Sequence, residues 1–311
     1  MQKNRQSMSH EHHHHHHHHA EAADVASLKK VYIASVVINL AFVLCEAAVG
    51  VWGNSLGLLS DAGHNLSDVF SLLLALIALR LASTKSTKKL TYGYRKGSVL
   101  ISLLNAIILL VAVGAILVES IHKFLDPAEV NGGAVAWTAG VGILVNGFTA
   151  FLLMRHRKED LNAKGAFLHM AADTLVSVGV VVSGIVIAHT GWNIIDPIIG
   201  IVVAFIILIG TWDLLSESLR LSIDAVPEGI DSDEIREHIR EIPGVIDVHH
   251  LHIWPISTSE TALTAHAVLS VEAEAEETVA SIKAELREHG IVHATIETEH
   301  EGHPCPDKDC C

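Results

Sequence analysis

Residues 58–81 read LLSDAGHNLSDVFSLLLALIALRL. The second half of this stretch is apolar, and the stretch as a whole is as long as the roughly 20 residues that a membrane-spanning helix needs. The first half sets Asp61, His64 and Asp68 in the same helix. Ionisable groups at membrane depth are costly, so they pair with one another or line an ion path instead of facing lipid. His64 and Asp68 are four residues apart, which puts both side chains on one helix face.

Working outward, apolar runs at 31–52, 97–122, 133–154, 163–189 and 194–217 predict five further spans. Half of the residues are apolar and the mean hydropathy is +0.40, as an α-helical membrane protein requires. The polar, histidine-rich start and the long first apolar run predict no cleavable signal peptide. Basic residues set the orientation. Lys29 and Lys30 precede the first span, Arg80, Lys85, Lys88, Lys89, Arg95 and Lys96 follow the second, Arg155, Arg157, Lys158 and Lys164 follow the fourth, and Arg220 follows the sixth. The remaining loops hold only Lys123, so the positive-inside rule places both termini in the cytosol.

Beyond Pro227 the hydropathy falls, and the pattern becomes helix 231–241, strand 245–254, strand 261–271, helix 274–289 and strand 292–299. Asp231 reads as an N-cap with Glu234 three residues on, and Gly244 and Gly290 end the helices. This αββαβ order predicts a small α+β ferredoxin-like layer. Four segments result: a cytosolic tail 1–30, a six-helix transport domain 31–220, a cytosolic metal-binding and dimerisation domain 221–300, and a cysteine-containing tail 301–311. Residues 1–225 hold 16 acids and 16 bases, whereas 226–311 hold 19 acids and 5 bases, so the whole net charge of −14 lies in the soluble part. An acidic domain without a basic face suits cations and argues against nucleic acid as a partner.

The fifth run repeats the motif of the second as His169-Met-Ala-Ala-Asp173. At 1.5 Å per residue Asp68 is roughly 18 Å from Arg80, and Asp173 roughly 22 Å from Lys158 on a continuous helix, so the motifs reach similar depths. Two imidazoles and two carboxylates form a set suited to tetrahedral Zn²⁺. Interhelical hydrogen bonding is the plain alternative; two motifs at matching depth favour the metal. Asp61 is read equally as an orienting neighbour of the ligands or as a helix cap. Asn39, Glu46, Asn105, Glu119 and Asn146 read as interhelical hydrogen-bond partners.

At these residues the chain resembles the cation diffusion facilitator family, in its zinc-transporting branch of the bacterial zinc, cobalt and cadmium efflux type. The resemblance runs through Ser55-Leu-Gly-Leu-Leu-Ser-Asp61-Ala-Gly-His64, Tyr92-Gly-Tyr-Arg95, Gly165-Ala-Phe-Leu-His169 and Val248-His-His-Leu-His-Ile-Trp254. It implies that His64, Asp68, His169 and Asp173 are transport-site ligands, and that the protein is a homodimer exchanging a cytosolic divalent metal for protons. Histidine in the second-span pair is associated in that family with zinc over manganese or iron. It also implies a cytosolic metal site at His249, His266 and Glu299, which the tail Cys305, Cys310 and Cys311 would complete. The family pattern has Asp where this chain has His250.

Ligand chemistry gives an expected mechanism. A metal site must lose protons to bind and regains them when the ion leaves. His64 or His169 then carries the proton, Asp68 and Asp173 neutralise the ion, and the proton gradient drives export; no Walker motif is present. His10 and His12, His13, His14, His15, His16, His17, His18 and His19 form a tract broken only by Glu11, read as a native metal-gathering arm in preference to an expression tag. On strand 245–254, alternation puts His249 on one face and His250 and His252 on the other. Zn²⁺ is thus expected as substrate and as a bound regulatory ion, with no organic cofactor. The expected location is the bilayer of a bacterial cytoplasmic membrane. A membrane-bound zinc sensor is the alternative function, and no nucleophile and base pair suggests an enzyme.

Overall fold

The computed structural model describes residues 17–52, 56–125, 132–158, 160–192 and 194–302. Six long helices come first: α1 (His17–Trp52), α2 (Leu56–Ala82), α3 (Lys96–Leu125), α4 (Gly132–Leu153), α5 (Leu161–Thr190) and α6 (Ile195–Ser222). Among the described residues three stretches are long and apolar enough to cross a membrane, Ala26–Val49, Lys96–His122 and Pro197–Ser222, and Gly140–Leu153 is a shorter apolar helix. α1 begins well before the apolar run predicted at 31, because Ala20–Lys30 is rich in strong helix formers that continue the same helix. α5 begins at Leu161 and is not continuous with Lys158, which lies in a separate 3₁₀ turn, His156–Lys158. Asp160 stops the run: its Oδ1 accepts the backbone N–H of Ala163 at 2.9 Å, an N-cap bond. Asp173 is therefore about 18 Å along α5 from its start, the same rise that separates Asp68 from Arg80 on α2.

α5 lies between two groups of helices. On one side Ala163, Ala166 and Met170 pack with Leu28 and Tyr32 of α1, Leu72 and Ala75 of α2, and Ala150 and Leu153 of α4. On the other, Leu161 packs with Val99 and Leu109 of α3 and Leu214 of α6, and deeper in, Ala172 meets Val113 and Val203. Small residues allow the close approach that helices in lipid depend on. Outward-facing positions carry large apolar side chains, among them Phe70, Val111, Leu144, Phe151 and Ile209, the inverse of a water-facing surface and the expected pattern for lipid. Asn39 donates to Thr149 Oγ1 at 2.9 Å, joining α1 to α4 as an interhelical hydrogen bond.

The soluble part has α7 (Ser232–Arg240), β1 (Val245–Pro255), β2 (Thr261–Leu269), α8 (Ala275–Glu288) and β3 (Ile291–His300), the αββαβ order read from the sequence. The sheet order is β1-β2-β3, with β1 and β2 antiparallel and β2 and β3 parallel. Asp231 caps α7 by accepting from Asp233 N at 2.8 Å and Glu234 N at 3.4 Å. Ile235 and Ile239 of α7 and Ile282 and Leu286 of α8 close over Val248, Leu263, Ala265 and Ile291 of the sheet. Every residue of β2, the central strand, is buried or half-buried.

The segment before α3 docks the two parts together. Gly93, at φ +71°, makes the turn; a Cβ there would lie 2.7 Å from the Thr84 carbonyl oxygen, so only glycine fits. The turn sets Tyr92 edge-on to His293 of β3, with ring centroids 5.7 Å apart, pairs Arg95 with Glu260 and Lys96 with Asp224. From the β1–β2 loop, Thr258 N–H donates to Ser98 Oγ at 3.2 Å and its hydroxyl donates to Asp160 Oδ2 at 2.6 Å. The first turn of α3 and the cap of α5 are thus tied to one loop of the soluble domain.

Candidate metal centres

The packing of α5 against α2 brings Asp68, His169 and Asp173 into one group whose ligand atoms all lie within 4.8 Å of one another. His169 Nε2 is 3.0 Å from Asp68 Oδ1 and 3.9 Å from Asp173 Oδ2. A tetrahedron of ligands about 2.0–2.1 Å from a metal has edges of about 3.3–3.4 Å, so these separations need only small adjustments to hold one ion. Asp68 and His169 are buried and Asp173 is partly so. Two carboxylates beside one imidazole supply the negative charge that makes a dication acceptable at this depth. His64 lies one helical turn before Asp68 on α2; its side chain, and that of Asp61, lie outside the described residues.

One residue past His64, Asn65 donates from Nδ2 to Glu46 Oε2 of α1 at 2.8 Å, both side chains buried. Glu46 therefore holds α1 to the part of α2 that carries the motif. Glu46 is thus an interhelical partner as its sequence position implies, and the signal for Asn65 is its place beside His64 in the motif.

In the soluble domain His249 and His266 stand opposite each other on the antiparallel strands. His266 Nδ1 is 2.8 Å from Glu299 Oε1, and His249 Nε2 is 3.3 Å from the same oxygen. The strand alternation that separates His249 from His250 fails here. The register shifts between His249 and His252, and His250 adopts φ +49°, the left-handed region that histidine tolerates better than most residues. This bulge swings His250 back to the side of its neighbour. Its ring centroid is 4.9 Å from that of His249 and 4.8 Å from that of His266, and the three imidazoles form one candidate ligand group. His252 lines a different surface, with Asp224, Arg236 and Trp254. Cys305, Cys310, Cys311 and His10 to His16 lie outside the described residues, as do the side chains of His17, His18 and His19; Cys45 is an exposed free thiol on α1.

Residues 32–221 match the cation efflux transmembrane domain, and residues 227–301 match the cation efflux protein cytoplasmic domain. The chain belongs to the cation efflux family. It is 36% identical over 280 residues to the cadmium, cobalt and zinc/H⁺-K⁺ antiporter of Bacillus subtilis (strain 168), covering 88% of this chain and 90% of that protein. It is 35% identical over 277 residues to the zinc transporter ZitB of Escherichia coli (strain K12), covering 88% and 87%. It is 33% identical over 270 residues to the metal cation efflux system protein CzcD of Cupriavidus metallidurans, covering 86% and 85%. Both cation efflux domains are present in order, and the junction between their matches, 222–226, falls where α6 ends and Lys96 meets Asp224. This cation efflux chain is accordingly a membrane metal transporter with a cytoplasmic dimerisation domain.

Proposed function

We propose that this protein is a homodimeric antiporter that moves Zn²⁺ out of the cytosol in exchange for protons, with Cd²⁺ and Co²⁺ as related substrates, at a site of His64, Asp68, His169 and Asp173. The observation that carries the reading is the approach of His169 to Asp68 and Asp173, from two helices, at a depth where isolated charges are not tolerated. The names of the Bacillus subtilis and Escherichia coli relatives agree with zinc efflux, and the former with proton exchange. We read six spans and cytosolic termini, a reading supported by the six long helices and the placement of the basic residues. The αββαβ layer is read as ferredoxin-like.

The residues suggest how transport and protonation are linked. An imidazole must be neutral to ligate a metal, and the same nitrogen that gives up the ion takes a proton. Asp68 and Asp173 neutralise either the ion or the protonated histidine, so the site keeps a tolerable charge in both states. Conformational exchange of α2 and α5 between two accessibilities would then deliver metal outward and protons inward. The cytosolic group of His249, His250, His266 and Glu299 has the donors to hold a regulatory metal ion, biasing one dimer arrangement. Its route to the membrane helices is the hydrogen bond from Thr258 to Asp160 and the bond from Thr258 to Ser98.

Proteoliposomes loaded with a zinc-sensitive dye test the reading. Zn²⁺ uptake should require an imposed pH gradient and vanish in Asp68→Ala. Undiminished uptake in that variant removes the assigned site, and uptake indifferent to the gradient removes proton coupling. A membrane-bound sensor would bind zinc in the soluble domain and catalyse no uptake at all.

A further inference from the structure

A third group of metal-ligating side chains lies on the helical side of the soluble domain, away from the sheet cluster. His238, in the last turn of α7, directs Nδ1 to within 2.8 Å of Nε2 of His289, the residue that closes α8. Glu285, one turn earlier on α8, brings Oε1 to 3.3 Å from His289 Nε2 and 3.9 Å from His238 Nδ1. The three atoms make a triangle whose sides bracket the edge of about 3.3–3.4 Å expected for ligands of a tetrahedral Zn²⁺.

The two imidazole nitrogens face each other and the Glu285 carboxylate stands beside them, so the three donor groups converge on one place. One cation serves all three lone pairs together. The relative exposures of His238, Glu285 and His289 are 31%, 37% and 29%, open enough for an ion to enter and for water to fill a fourth position. Glu285 and His289 also share the i, i+4 spacing that puts two ligands on one helix face, the same arrangement as His169 and Asp173.

We infer that His238, Glu285 and His289 form a separate cytosolic site for a borderline divalent cation, Zn²⁺ or Co²⁺ by its two-nitrogen, one-oxygen donor set. Its effect is mechanical. His238 and His289 are 51 residues apart in sequence, and α7 has only nine residues, too few for a helix to be stable by itself. A bound ion crosslinks the end of α7 to the end of α8 and fixes both over the sheet. Metal abundance in the cytosol is thereby converted into rigidity of the helical layer of the domain.

The test uses the full-length protein in detergent. A background variant has the histidines of the N-terminal tract and the three tail cysteines replaced by serine, together with Asp68→Ala, His249→Ala, His250→Ala and His266→Ala. At buffered micromolar Zn²⁺ it should retain one equivalent per chain, and Co²⁺ should give the visible absorption of a tetrahedral site. His238→Ala or His289→Ala should remove that equivalent, and Glu285→Gln should weaken it about tenfold. Absence of the equivalent in a folded background, or its persistence after His238→Ala, overturns the site. Amide hydrogen exchange gives the same test without the background: Zn²⁺ should slow exchange across residues 232–240 at least tenfold in the wild-type chain and in Asp68→Ala, but not in His238→Ala. Equal slowing in His238→Ala, or none in the wild type, overturns the proposal. Because Asp68→Ala removes transport in the proposed function, failure of one reading is distinguishable from failure of the other.

Discussion

His169 Nε2 lies 3.0 Å from Asp68 Oδ1, across 101 residues of sequence. Both side chains are buried, and in the proposed function this pair holds the metal or shares a proton. Replacing His169 by Gln keeps a polar side chain but loses the titratable nitrogen. Zn²⁺ transport by His169→Gln or Asp173→Ala is expected to fall to the level of protein-free vesicles, with the protein still folded and dimeric by size-exclusion chromatography. Transport retained at half the wild-type rate in either variant would exclude that residue from the site.

α3 and α6 are in close contact at Gly200. A Cβ there would lie 2.4 Å from Ser120 Oγ and 3.4 Å from its Cβ, and Ser120 is buried. Gly200→Ala should therefore destabilise the helix packing by about 1–3 kcal/mol, the usual cost of overpacking. Ser120→Ala removes the conflicting oxygen, so the double variant should unfold at a higher temperature than Gly200→Ala alone. Simple additivity of the two changes would show that the contact is not shared.

Asp160 sits where the two domains meet. Burial raises its carboxyl above the ordinary value of 3.8, against the lowering effect of hydrogen bonds from Thr258, Ala163 and Asn162. Between the ordinary value and the raised one, the folded chain holds more protons than the unfolded chain, so this contribution to stability declines as pH rises and is gone above the native value. Asn caps a helix as well as Asp and does not ionise. Thermal unfolding from about pH 4 to about pH 8 should show Asp160→Asn gaining on the wild type as pH increases from the carboxylate range. A wild-type advantage that grows with pH would reverse the assignment.

The bulge at His250 has a consequence for metal affinity. With its ring beside those of His249 and His266, His250→Ala should weaken Zn²⁺ binding to the sheet cluster at least tenfold, as loss of a ligand or its neighbour commonly does. His252→Ala, on the other side of β1, should leave it unchanged. Isothermal titration of a chain lacking the N-terminal histidines distinguishes these outcomes, and equal effects of the two substitutions would mean that strand alternation holds after all.

The amino-acid sequence determined the helical membrane part, the αββαβ soluble layer and the presence of a His-x-x-x-Asp motif in each of two helices, because hydrophobic runs, caps and i, i+4 spacing are local properties. Asp231 as cap of α7 was readable for the same reason. Only tertiary structure decided that α5 is wedged between two helix groups and meets α2 at Asp68, since that depends on which faces pack. It also decided the side on which His250 lies, because a single left-handed residue overrides the two-residue period of a strand. The convergence of His238 with His289, and of Thr258 with Asp160, joins residues far apart in the chain. No local pattern encodes such meetings; they arise when the apolar faces of helix, sheet and bundle are buried together.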